Sequence, residues 1–190
     1  MRSDAARNDA AILEAARELI SAEGSSVSMD AIAARAGVAV GTLYRHHPTK
    51  AALVDAVVRA SIDQIADDAV AAHERVEAGA DVGTEVLDLF RLVARRHATD
   101  QAVKEAALTL GLSPIIEPPT DPLEPGTPEA RAGAAIEALL HEAQRAGVVR
   151  DDVGLEDLWA LVVGTPAAGA STEVRERYLD IVIAGLRPIG

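Results

Sequence analysis

Thr42, Tyr44, Arg45 and His46 crowd one short polar stretch, AVGTLYRHH, with Lys50 just beyond it. A phenol, an imidazole, a guanidinium and an ammonium all donate hydrogen bonds to anionic oxygens such as phosphate, and a threonine offers a hydroxyl and a methyl suited to base edges. Alone, a histidine pair or a tyrosine would be ordinary surface or core; joint placement on one polar helix makes the group a candidate site. An exposed Arg45 can reach either guanine or phosphate, and Gly41 leaves room for close approach.

Other chemistries are poorly served. His73, His97 and His141 stand far apart with no His-Glu-x-x-His pattern, which argues against a metal centre. Asp67 with Asp68, and Asp151 with Asp152, are adjacent pairs that point about 100° apart on a helix, so they read as solvated faces or caps. Cysteine is absent, which removes thiolate metal sites, a catalytic thiol and disulfides together. Neither a Gly-rich phosphate loop nor a Gly-x-Ser-x-Gly elbow occurs. The expectation is a chain that is not an enzyme and uses no metal or cofactor.

The elements that must position the polar stretch follow from periodicity and caps. Ile12, Ala16, Leu19 and Ile20 recur at helical spacing, and Gly24 is the expected stop. Ser28 caps a short amphipathic helix through Met29, Ile32, Ala33 and Ala36 that stops at Gly37. A third short helix carries the polar stretch, with Val40, Leu43 and His47 on one side. In a helix-turn-helix the second helix enters the major groove while the first braces it, and SMDAIAARAGVAVGTLYRHH meets that design. Thr49 then caps a long helix with a stripe of Leu53, Val57 and Ile65 that runs to about residue 77.

Downstream, one helix is expected through Val86, Leu87, Phe90 and Val93, and another from a cap at Thr99 or Asp100 to about Gly111. The stretch 113–128 holds six of the nine prolines and reads as a loop. Three more helices are expected over roughly 128–146, 155–169 and 172–187. The fold class is therefore all-α with about nine helices. A helix-turn-helix DNA-binding domain is expected over residues 1–48, and a second helical domain over residues 49–190.

Composition agrees: 49% of residues are hydrophobic but only 2% aromatic, so the core must be built from Ala, Leu, Val and Ile. The net charge of -12 looks wrong for a partner of a polyanion. Residues 1–50, however, carry six basic and six acidic groups, and the whole acidic excess lies downstream. With neither a leader pattern nor an apolar stretch approaching about 20 residues, the chain is expected to be soluble and cytoplasmic, with no membrane partner.

Residues 10–57 resemble the TetR family of bacterial regulators, whose signature is matched at Ile32, Ala33, Ala36, Gly37, Val38, Gly41, Leu43, Tyr44, His46 and Lys50. The resemblance implies a ligand-responsive transcriptional regulator that acts as a homodimer on a palindromic double-stranded DNA operator, most simply as a repressor released by a largely apolar small-molecule effector. It puts Thr42 at base edges and Tyr44, His46 and Lys50 on the DNA backbone, while Ser28 can both cap its helix and donate to phosphate. His47 departs from the family's usual phenylalanine, which costs apolar burial and would be unwelcome in the core if charged.

The resemblance makes residues 49–190 a ligand-binding and dimerisation domain, and the candidates for its effector pocket are Leu87, Phe90, His97, Leu108, Leu112, His141 and Trp159. For the dimer interface they are Val162, Val163, Tyr178, Ile181 and Val182, since one helix can bury one stripe internally and another against a partner. The rival readings are a helical ligand-binding or scaffold protein without a DNA role, and an enzyme acting in the downstream region.

Overall fold

A computed structural model describes residues 2–112, 124–167 and 169–188. Among these residues there are eight α-helices, one 3-10 turn (Gly24–Ser26) and no strand. The helices are α1 (Arg2–Glu23), α2 (Met29–Ala36), α3 (Val40–His46), α4 (Lys50–Glu77), α5 (Val82–Thr109), α6 (Pro128–Arg145), α7 (Leu155–Val163) and α8 (Thr172–Leu186). Most of the proline-rich stretch, residues 113–123, lies outside the described residues.

Local chemistry sets the helix ends. Ser28, Thr127 and Ser171 open α2, α6 and α8, each accepting the backbone N–H three residues on. The break expected at Thr99 or Asp100 is absent, and α5 runs through both. Neither residue is available as a cap: the Thr99 hydroxyl donates back to the Arg95 carbonyl, and the Asp100 carboxylate accepts from Ser61 on α4. Helix α7 stops at Val163, short of the expected 169, because Gly164 and Pro166 follow it closely.

The chain forms two compact units, and α4 and α5 each contribute to both. The first runs to Ser61 and takes in α5 from Asp100 onward. Its core joins Ile12, Ala16 and Ile20 of α1 to Ile32 and Ala33 of α2, Leu43 of α3, Leu53, Val54 and Val57 of α4, and Val103, Ala106 and Ala107 of α5. The second holds the rest of α4 and α5 with α6, α7 and α8. Its clusters are centred on Ala69, Ala72, Leu89 and Leu139, on Phe90, Val162, Leu179 and Ile183, and on Leu140, Ala143 and Val149. Small alanines at so many buried positions permit close helix approach in place of large aromatic fillers.

Candidate nucleic-acid interface

The support for α3 is built from its neighbours' apolar faces. Met29, Ile32 and Ala33 are buried along α2, and Gly37 ends that helix at φ 70°, a left-handed conformation that a side chain would strain. Its N–H reaches the Ala34 carbonyl while the Val38 N–H reaches the Ala33 carbonyl, so the chain reverses with both carbonyls satisfied. Val38 packs on the core, and Leu43 is fully buried. These contacts fix α3 from one side.

The other side is open. Gly41, Tyr44 and Arg45 are exposed and Thr42 is partly so, with Tyr44 45% exposed. Arg45 Nη2 donates to Thr42 Oγ1 at 3.2 Å, which couples the guanidinium to the hydroxyl beside it. A Cβ at Gly41 would meet nothing within 4 Å, so the backbone there is clear. Val40, expected on the buried side with Leu43, is instead 38% exposed. It is the first residue of α3, one turn ahead of Leu43, and adds an apolar group to the open face.

Ser28 is exposed with its hydroxyl engaged as the α2 cap. Lys50, the first residue of α4, directs its ammonium to the carbonyls of Ser25 and Val27. It thus ties α4 to the segment that joins α1 to α2.

The remaining candidates are spread more widely. Leu87 and Phe90 share one cluster with Leu158, Leu161 and Val182. His97 and Trp159 are partly buried in the same unit, and His141 lines an open surface depression with Gln144, Arg145 and Asp151. Leu108 and Leu112 belong to the first unit, where Leu112 packs on the core and Leu108 is exposed. Of the interface candidates, Val162 is buried, Val182 and Tyr178 pack on that same cluster, and the Tyr178 hydroxyl donates to the Leu161 carbonyl at 2.7 Å. Val163 and Ile181 are exposed, Ile181 by 67%. Val174, also exposed, was not singled out by sequence, although it precedes Tyr178 and Ile181 at helical spacing. Among the described residues no group of three His, Asp or Glu side chains is arranged to hold a metal, and no helix is long and apolar enough to cross a membrane.

Residues 12–57 match the family model described as bacterial regulatory proteins, tetR family, and residues 81–188 match the C-terminal domain of SbtR-like transcriptional regulators. A TetR transcription regulatory protein from Mycobacterium vanbaalenii is 38% identical over 98% of this chain and 99% of its own, with a TM-score of 0.75. The chain belongs to the TetR family. A TetR transcriptional regulator from Streptomyces coelicolor is 27% identical, covering 96% of this chain and 99% of its own, with a TM-score of 0.74. A gamma-butyrolactone receptor at 23% identity, over 97% of this chain and 91% of its own, shares the fold with a TM-score of 0.57. No curated protein matches. TetR family proteins are DNA-binding transcriptional regulators rather than enzymes; response to small molecules and action as dimers are typical of them.

Against the TetR signature, the histidine at position 47 has a structural answer. His47 is 7% exposed, and its Nε2 lies 3.0 Å from Asp9 Oδ1 on α1. The same oxygen is 3.1 Å from His46 Nδ1. A polar ring in the core is thereby hydrogen-bonded rather than stranded. Sequence reasoning missed Asp9; the only signal was the departure itself, since a buried imidazole calls for a partner on a packed element.

Proposed function

We propose that this TetR family regulator is a repressor that binds a palindromic operator as a homodimer and releases it when a small, largely apolar effector occupies the second unit. The observation that carries this reading is the two-sided character of α3: Leu43 and His47 are buried while Thr42, Tyr44 and Arg45 face outward. A helix held so firmly on one side, with donors on the other, suits insertion into the major groove. Thr42 and its hydrogen-bonded neighbour Arg45 read base edges, and Tyr44, His46, Lys50 and Ser28 hold the phosphate backbone. The even charge of residues 1–50 makes paired half-sites, rather than a broad basic surface, the source of affinity.

In a dimer, two copies of α3 reading a palindrome must sit about 34–36 Å apart or a compatible multiple. An effector that binds one arrangement of the protein better than another shifts the population away from that spacing, with α4, continuous through both units, as the carrier. Val163, Val174 and Ile181 supply the dimer seam, and Leu87, Phe90 and Trp159 line the effector's apolar surroundings.

Selection of duplexes from a randomised library tests the reading. The full chain is expected to enrich a palindrome, and Thr42→Ala to lower its preference over single-base variants by about fivefold, ~1 kcal/mol. Equal affinity for enriched and random duplexes discards it. Native mass spectrometry of the purified protein, looking for a co-purified small molecule, tests the effector.

A further inference from the structure

Asp9 sits where one carboxylate oxygen must serve two imidazoles. Its Oδ1 is 3.1 Å from His46 Nδ1 and 3.0 Å from His47 Nε2, and the ring centroids are 6.2 Å apart. An ionised carboxylate only accepts hydrogen bonds, so each ring must turn an N–H toward it. That choice sets both neutral tautomers: His46 carries its hydrogen on Nδ1 and His47 on Nε2. His46 Nε2 is then a bare lone pair. Among the described residues no side chain pairs with it, and the His46 side chain that carries it is 23% exposed.

A phosphate oxygen also only accepts. A neutral His46 held by Asp9 therefore has nothing to donate to DNA, whereas an imidazolium has one N–H for Asp9 and a second for phosphate. We propose that Asp9 is a positioning residue that makes the phosphate contact of His46 conditional on a second proton, so that each operator half-site takes up a proton on binding. This rests on the operator-binding reading above.

The surroundings decide which ring takes the proton. His47 has a side chain 9% exposed against 23% for His46, and a charge is costlier on the more buried ring. Two imidazolium ions beside a single carboxylate would repel, which favours one added proton over two. The nearby cations are engaged elsewhere: Arg45 points to Thr42, Lys50 to the carbonyls of Ser25 and Val27, and Arg7 of α1 to Asp4. Among the described residues, the cationic partners of Asp9 are the two rings alone. A phosphate contact that requires an added proton strengthens as protons become more available, so operator affinity should rise as pH falls.

Two measurements test this. Long-range proton–nitrogen NMR of the free, labelled protein near pH 8 should find His46 in the Nδ1–H form and His47 in the Nε2–H form; His46 in the Nε2–H form overturns the inference. Affinity for the enriched duplex, measured at constant ionic strength from about pH 6 to pH 8, should fall with rising pH by at most about tenfold per unit for each half-site. His46→Gln, whose amide donates without titrating, should flatten this profile by one proton per half-site. Asp9→Asn frees the tautomer and should flatten it as well, and thermal unfolding checks that this variant is folded. Should it fail to fold, His46→Gln decides. An undiminished slope in His46→Gln, or no slope in the unmodified protein, overturns the inference while leaving operator binding intact. Absence of sequence-selective binding at every pH overturns both.

Discussion

Lys50 belongs at once to the fold and to the proposed contact surface. Its ammonium donates to carbonyls 23 and 25 residues away, at Val27 and Ser25, closing the α1–α2 connection onto the start of α4. Lys50→Ala should therefore do two things. It should weaken binding to all duplexes alike and lower the salt slope by about one unit. It should also cost ~1–2 kcal/mol of stability, because two carbonyls lose a charged donor. Salt-dependent binding reads the first effect and urea unfolding the second. The basic residue was legible in the sequence as part of a motif. Its carbonyl partners were not, since nothing local to Ser25 or Val27 signals a donor from another helix.

Between elements, close approach is the controlling quantity. At the end of α7, a Cβ on Gly164 would lie 2.8 Å from the Tyr178 hydroxyl of α8 and 3.3 Å from the Ala160 carbonyl. The backbone at Gly164, φ -70°, suits any residue, so the constraint is one of space alone. Gly164→Ala should push the Tyr178 hydroxyl off the Leu161 carbonyl and cost ~1–2 kcal/mol, seen as a lower urea midpoint with an unchanged slope. A comparable dependence appears within the first unit, where Ser61 of α4 donates to the buried Asp100 of α5 and Arg17 of α1 lies 3.8 Å from the other carboxylate oxygen. Burial pulls the nearby Lys104 ammonium below its ordinary range, against the opposing pull of Asp100. Periodicity located α4 but divided α5 in two, with a cap at Thr99 or Asp100. The same carboxylate can cap a helix or bond a neighbour, and only packing chooses between them.

For the molecule as a whole, assembly and acid stability are the measurable properties. Ile181 is exposed on α8, so Ile181→Glu should leave each protomer folded yet move the sedimentation profile from dimer toward monomer. An unchanged dimer would exclude this face from the seam. On the acid side, Arg17 hydrogen-bonds Glu14, Arg75 bonds Glu85 and Arg95 bonds Glu176, and each guanidinium holds its carboxyl below the ordinary range. A carboxylate with a depressed folded value contributes stability that is complete above the unfolded value and is lost as pH falls through the folded one. Urea midpoints should thus stay level down to about pH 5 and decline below about pH 4. Level urea midpoints between about pH 6 and 8 would separate a pH effect on operator binding there from a loss of fold.

Helix class, the α2–turn–α3 unit and the family itself were determined by the sequence alone, because caps, a left-handed glycine and apolar spacing act over a few residues. Ser28, Gly37 and Leu43 do in the structure what their types and positions imply. Tertiary structure alone decided that Val103, Ala106 and Ala107 complete the core around α3, that Val162 faces inward while Ile181 faces out, and that Asp9 holds both His46 and His47. Each of these depends on residues far apart in the chain meeting in space. A local pattern records that a face is apolar or that a ring is polar, and it carries no information about which distant side chain will satisfy it.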